Sequence, residues 1–374
     1  MSVMNGSAPA ADGPHPDNVP RVWLLMGHKI GDNAQVLALA EALGWPFETK
    51  RFVYSRWELF ALLALGATLA GIDRERSSPL VPPWPDLVLT AGRRNEPVAR
   101  WIREAARPKR VRLVHIGRPW SNLDVFDLVV TTPQYRLPVR PNILHNHTPL
   151  HRVTPEKLAA AAAAWEPRLA DLPRPFTALM IGGSAGAYVY DDRAAARLAR
   201  QASDLVRERG GSLLVTTSAR TPPSTIDAFL DTLSVPVHLY RWSKDAAENP
   251  YFAFLGLADA IIATGDSMSM LTEACATQKP VYIFDVGEGR TSMRPEVARA
   301  AAGARRSPRV KTVLHHLAMS LGPQRMSRDI RFIHQFLLAS GHAVWLGDAF
   351  PDSVALPKLD CLDRAVAAVR ALFD

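Results

Sequence analysis

Cysteine is scarce: the chain has two, Cys275 and Cys361. They form no disulfide framework and have no zinc-like spacing. Both read as small buried hydrophobes of a reducing compartment, which points to the cytoplasm. Long apolar runs are missing too. The longest uncharged one, "LFALLALGATLAGI" at Leu59–Ile72, falls short of the roughly 20 residues that span a bilayer. The fingerprint G-x-G-x-x-G does not occur, which disfavours a dinucleotide site, and neither does the P-loop pattern G-x-x-x-x-G-K-[ST]. There is no D-x-D triplet, so the usual divalent-metal site for a nucleotide sugar is not evident. The histidines of "HNHTPLH", His145, His147 and His151, sit on a loop without a companion acid and read as a surface or hinge segment. No metal and no cofactor are expected. The first residues, "MSVMNGSAPAADGPHPDNVP", have no apolar core and read as a disordered tail over residues 1–19, not a signal peptide.

The chain has 374 residues, 48% of them hydrophobic and 21% charged, which suits two or three globular domains with a sizeable core. The net charge of +8 favours anionic partners: nucleotides, phospholipid head groups or nucleic acid. Nucleic acid is disfavoured. The cluster Arg93, Arg94, Arg100, Arg103, Arg107, Lys109, Arg110 and Arg112 is interleaved with a single aromatic, Trp101, and reads as a solvated face. An apolar helix within Trp57–Ile72 is flanked by Lys50, Arg51, Arg56, Arg74 and Arg76. It reads either as a core helix, because its apolar residues run nearly all round, or as a surface that docks on the inner face of an anionic membrane.

Elements alternate along the chain. "RVWLLMG" is a buried strand ending at glycine, and "DNAQVLALAEALG" is a helix that Asp32 can cap and Gly44 stops. "FETKRFVY", "DLVLTAG", "VRLVHIG" and "FDLVVTT" continue as strands, with "NEPVARWIREAA" a helix started by Asn95 and Pro97. An Ala-rich helix and a Pro-punctuated link, Thr154–Pro175, form a seam. A second alternating series then runs from "FTALMIGG" to "PVYIFDV", followed by a basic segment and two further helices, "RDIRFIHQFLLASG" and "LDRAVAAVRALF". Continuous apolar strands alternating with helices predict parallel sheets covered on both faces. The domains read as 20–165 and 166–345, with a terminal extension over 346–374.

Ligands of open α/β sheets bind at the carboxyl ends of strands. Two turns of the second series carry suitable groups. "MIGGSAGAY" presents Gly182, Gly183 and Ser184, where backbone can approach a phosphate, although a tight strand-to-helix turn needs glycine anyway. "TGDSMSM" presents Gly265, Asp266, Ser267 and Ser269 at a helix start, with Asp266 or Ser267 as the cap. Glu273 lies four residues beyond Ser269 and so on the same face. It reads as a cleft-facing acid that accepts sugar hydroxyls or, alternatively, as a solvated helix acid. In the first series "LLMGHKIGDNAQ" places His28, Lys29, Asp32 and Asn33 at a strand-to-helix loop. His28 or Asp32 suits proton transfer from a hydroxyl; the alternative is an Asp cap beside an exposed His.

The pieces "GHKIGDNAQVLALAEALG", "TAGRRNEPVARWI", "FDLVVTTPQY", "LMIGGSAGAY" and "TGDSMSMLTEACATQKPVYIFDV" resemble the GT-B glycosyltransferases. More closely, they resemble the family named after a plant mitochondrial-fission ("elongated mitochondria") protein. The resemblance implies a GT-B-like α/β fold, two doubly wound Rossmann-like domains facing a cleft. It implies a nucleotide-sugar donor held by the second domain, with Glu273 on the ribose and Gly183 and Ser184 near the phosphates, and an acceptor on the first. The expected activity is metal-independent glycosyl transfer. A sugar-nucleotide epimerase on the same fold and a non-catalytic adaptor are the alternatives.

Overall fold

The computed structural model describes residues 19–56, 66–186, 188–302, 328–351 and 356–374. The chain divides into two compact units. The first runs to Arg152 and takes back Leu359–Asp374; the second is Val153–Lys358.

In the first unit β1 (Val22–Met26) leads into α1 (Ile30–Leu43), which ends at Gly44 in the left-handed conformation (φ 69°). There follow β2 (Phe47–Arg51), the short antiparallel pair β3 (Val53–Tyr54) and β4 (Ile72–Asp73), and β5 (Leu87–Ala91). The unit continues with α2 (Glu96–Ala105), β6 (Arg112–Ile116), β7 (Leu128–Thr131) and β8 (Ile143–His145). The six-stranded sheet has the order β2-β1-β5-β6-β7-β8 and is parallel throughout. Every residue of β1 and of β5 is buried, as strands covered on both faces require.

The second unit opens with α3 (Pro155–Trp165), then β9 (Phe176–Met180), α4 (Asp192–Arg209), β10 (Ser212–Thr216), α5 (Pro223–Thr232) and β11 (Val237–Tyr240). It continues with α6 (Tyr251–Leu257), β12 (Ala260–Thr264), α7 (Met268–Cys275), β13 (Val281–Phe284), α8 (Pro295–Ala302), α9 (Arg331–Ala339) and β14 (Val344–Trp345). Its parallel six-stranded sheet has the order β11-β10-β9-β12-β13-β14. The last helix, α10 (Cys361–Arg370), returns to the first unit. It buries Cys361, Ala365 and Val369, spaced four apart on one face, in the core beneath α1, and Arg370 donates to the Leu43 carbonyl at 3.1 Å.

Four readings change. The seam helix α3 packs with the second unit: Trp165 meets Phe254 edge-on at 6.0 Å, and a Cβ on Gly256 would lie 2.7 Å from the Leu158 carbonyl oxygen. The apolar stretch does not stay helical to Ile72. Gly66 takes φ 68°, residues 66–71 are turns and bends, and Ile72 pairs with Tyr54; residues 57–65 lie outside the described residues. Lys50 is no surface cation. It is 3% exposed, 2.5 Å from Glu48 and stacked on Trp23. His145 ends strand β8 and is not a loop residue.

Candidate functional site

In the second sheet the chain builds outward from β9 on one side through β10 and β11, then returns to β12 on the other. The strand order therefore reverses between β9 and β12, the switch point where open α/β sheets take ligands. The two turns singled out in the sequence leave these very strands. They are far apart in the chain but side by side in the sheet, since Met180 is in register with Ala263.

Asp266 ties the turns together. It is 2% exposed, and its Oδ1 accepts the Thr264 hydroxyl at 2.6 Å. Thr264 Oγ1 in turn accepts the Gly182 N–H at 2.8 Å. Oδ2 lies 2.8 Å from Nη1 of Arg220, off the line of a hydrogen bond, so the contact is an ion pair. Burial pushes the Asp266 carboxyl above its ordinary range, while Arg220, Thr264 and Gly183 pull it back.

The paired glycines follow from this packing. A Cβ on Gly182 would sit 2.5 Å from Asp266 Oδ2, and one on Gly183 would sit 2.3 Å from the Arg220 carbonyl oxygen. Of the two N–H groups read from the sequence as a phosphate cradle, that of Gly182 is thus engaged by Thr264. Asp266 is no helix cap; it is a brace. Ser184 is exposed at the surface of the turn, its hydroxyl accepting the Tyr190 N–H at 3.0 Å and its carbonyl accepting from Arg220 at 3.1 Å. Gly265 is held from behind by buried His334, whose Nε2–H donates to the Gly265 carbonyl at 2.8 Å. Burial lowers the His334 pKa to about 4, so the ring is neutral at pH 7.

Ser267 occupies the N-cap position of α7 but makes no side-chain bond to the first turn. The first N–H groups of an α-helix have no partner within it, so this end is open to water or a ligand. Ser267 and Ser269 are half-buried. Glu273 is buried too, at 9% exposure, so it is no solvated helix acid. Its Oε2 accepts the Tyr251 hydroxyl at 2.6 Å. Burial, then Glu273, pushes the Tyr251 phenol well above its ordinary pKa.

The switch point of the first sheet lies between β1 and β5. Asn33 closes the β1 turn, accepting the Gly27 N–H at 2.8 Å and donating to the Gly27 carbonyl at 2.9 Å. Asn95 stitches the two strand ends through the Leu25 carbonyl at 2.9 Å and accepts from Tyr54 at 2.6 Å, so its side chain does not cap α2. Asp32 does not cap α1. The N-cap position is Lys29, and Asp32 stands in the first turn, half-buried, with Oδ2 so near Gly92 that a Cβ there would lie 3.1 Å away. His28 is exposed and meets Tyr54 edge-on at 6.1 Å.

Sequence reasoning missed Arg220, Tyr251, His334 and Glu96. Glu96 is fully buried and accepts the Trp120 and Ser121 N–H groups at 2.9 and 2.8 Å; burial raises its pKa against those bonds. Arg220 left one signal, an arginine in the hydroxyl-rich stretch "TTSARTPPS" just past a buried strand. Among the described residues no group of three His, Cys, Asp or Glu side chains gathers as a metal site. No helix among them is long and apolar enough to cross a membrane.

Among proteins of known sequence, the chain is 30% identical over 240 residues to a mitochondrial fission protein ELM1 of Arabidopsis thaliana, covering 58% of this chain. The match spans about half that relative's length, 53%. An uncharacterized protein of Rickettsia prowazekii (strain Madrid E) is 23% identical over 296 residues, 70% of this chain and 82% of its own. Among solved structures, a glycosyltransferase from Rickettsia africae ESF-5 superposes with a TM-score of 0.46 at 10% identity, covering 94% of this chain and 98% of that one. A UDP-GlcNAc 2-epimerase from Neisseria meningitidis bound to UDP-GlcNAc does so with a TM-score of 0.42 at 14% identity, covering 85% and 100%. At these scores neither likeness bears on what this chain does. The fold is nonetheless α/β with two parallel, Rossmann-like sheets, as the GT-B resemblance implies. The family described as mitochondrial fission ELM1 matches residues 30–306, about three quarters of the sequence, and the chain belongs to that family.

Proposed function

We propose that the second unit binds a nucleotide sugar at the β9–β12 switch point and that the chain is a metal-independent glycosyltransferase whose acceptor is taken by the first unit. The observation that carries this reading is the group of side chains at the switch point. Arg220 is 42% exposed and anchored by buried Asp266, the uncapped start of α7 leaves donors for an anion, and a carboxylate, Glu273, stands further along the same helix. A guanidinium and a helix N-terminus together meet the charge of a diphosphate and stabilise it as it leaves, without calling on a D-x-D metal site. Glu273, with Ser269 on its face of α7, supplies acceptors for the ribose hydroxyls. Asp32 or His28 takes the proton of the acceptor hydroxyl.

The description of the Arabidopsis relative favours a second reading, a non-catalytic adaptor that keeps the fold. The separating experiment incubates purified protein with UDP-, GDP-, ADP- and CMP-sugars in excess EDTA. Hydrolysis or transfer that survives EDTA supports the transferase. Binding without turnover supports the adaptor, and conversion of the sugar nucleotide with no acceptor added supports an epimerase.

A further inference from the structure

The far end of α2 borders a groove of about 440 Å³, within the roughly 300–1,000 Å³ of small-ligand sites. Five cations line it, Arg100, Arg103, Arg107, Lys109 and Arg110, with one carboxylate, Glu104. α2 starts where β5 ends, and Arg112, the first residue of β6, is level with Leu87, the first of β5. The groove therefore lies at the amino ends of these strands, on the edge of the first sheet opposite its switch point.

The cluster read from the sequence as a solvated face is in part a fixed frame. Arg103 donates to the Val125 carbonyl at 2.6 Å and stands 3.5 Å from Asp127. Lys109 stands 2.9 Å from Asp86 and donates to the Trp84 carbonyl at 2.8 Å. The other three cations are uncommitted. Among the described residues neither Arg100 nor Arg107 makes a side-chain hydrogen bond or an ion pair. Arg110 reaches Asp127 at 3.8 Å with its side chain 77% exposed. Arg100, Arg103 and Arg107 also crowd one another, spaced three and four apart on one side of the helix. Burial lowers the Arg103 pKa, and Arg100 and Arg107 lower it further against Asp127 and Glu104. Cations suit the last turn of a helix, which accounts for Arg103 but not for Arg100 in mid-helix or Arg110 beyond its end.

Three uncommitted guanidinium groups around one concavity favour an anion with more than one charge, and their flat forks match phosphate oxygens. A nucleic acid would also stack bases, yet Trp101 is packed edge-on against Trp84 at 6.1 Å. We propose that the groove binds a phosphate ester or diphosphate, whose oxygens accept from Arg100, Arg107 and Arg110 within the frame held by Arg103 and Lys109. It is a second site, apart from both switch points and independent of the transferase reading. The phosphate comes free in solution or on a lipid head group.

The test titrates the full chain with inorganic pyrophosphate by calorimetry at low salt. The parent binds. A variant carrying Arg107→Gln and Arg110→Gln binds about tenfold more weakly, the low end for charged hydrogen bonds because both side chains are exposed. Its melting temperature is unchanged, since neither side chain has a close partner to lose. A control carrying Arg200→Gln and Arg209→Gln, which takes two exposed charges from α4, binds like the parent. An equal loss in the control makes net charge the cause and overturns the proposal. No pyrophosphate binding overturns it too. So does a loss with Arg220→Met and none with the groove variant, which puts the anion at the second unit's switch point. UDP affinity, followed in the same variants, reports on that switch point, so the two readings fail separately. Co-sedimentation with phosphatidylglycerol vesicles then names the source. Vesicle binding that pyrophosphate displaces and the groove variant loses identifies a lipid head group. Pyrophosphate binding without vesicle binding identifies a free compound.

Discussion

The Tyr251 hydroxyl donates a 2.6 Å hydrogen bond to Oε2 of Glu273, joining the start of α6 to the far half of α7. The bond explains how an acid is kept on a short helix between buried strands, since a buried carboxylate without a partner is strongly disfavoured.

Tyr251→Phe removes a hydrogen bond to a charged acceptor and is expected to cost about 1.5–3 kcal/mol of stability by denaturant titration. Glu273→Ala lowers stability as well, because it takes the acceptor from the Tyr251 hydroxyl. If Glu273 also holds the ribose, Glu273→Ala weakens nucleotide binding by about 1.5–3 kcal/mol in calorimetry and Glu273→Gln by less. Unchanged affinity in both variants removes Glu273 from the donor site.

Arg220→Met leaves Asp266 buried without its cation. Breaking a fully buried pair costs about 3–5 kcal/mol, and the 42% exposure of Arg220 reduces that to about 1–3 kcal/mol. Combining it with Asp266→Asn, which removes the orphaned charge, is expected to restore much of the melting temperature. If Arg220 also meets the diphosphate, the double variant still binds UDP poorly. Recovery of both stability and UDP affinity would confine Arg220 to bracing the turns.

Acid destabilises this fold through two buried rings. Burial lowers His115 to about 3 and His334 to about 4. An unfolded histidine titrates near pH 6.5, so below that pH the unfolded chain binds protons that the folded chain refuses, and stability falls with pH. Each ring then withdraws about 2 kcal/mol by pH 5. Both ring nitrogens of His115 lack partners, so His115→Leu is expected to hold stability at pH 7.5 and to flatten its decline between pH 6.5 and 5. An unaltered slope in chemical denaturation across that range would contradict the assignment.

Asp32→Asn separates catalysis from structure, because Asp32 is not the cap of α1. Removing a first-turn charge costs about 0.3–1 kcal/mol. A general base would lose about 10²–10⁴-fold in turnover at unchanged nucleotide affinity. His28→Ala is the companion. If neither substitution slows turnover in an assay that detects it, the proton goes elsewhere.

Local chemistry was legible along the chain. The Gly44 stop, the continuous apolar runs of β1, β5, β9 and β12, and the 3.6-residue pattern of α4 each rest on neighbours a few residues away, so the sequence alone determined two parallel α/β series and the turns that end their strands. It also carried the family resemblance, in "TGDSMSMLTEACATQKPVYIFDV" above all. Tertiary structure alone decided what those turns do. Gly182 and Gly183 read as a phosphate cradle; the β9–β12 pairing sets Thr264 on the Gly182 N–H and Asp266 against its Cα. Glu273 acquired Tyr251, Asp266 acquired Arg220, Asn146 acquired the Cys361 carbonyl of the returning α10, and α3 changed units. Each of these pairings depends on strand order and on how helices cross a sheet. Residue spacing encodes which face a side chain leaves from, but only the packed fold decides what stands opposite.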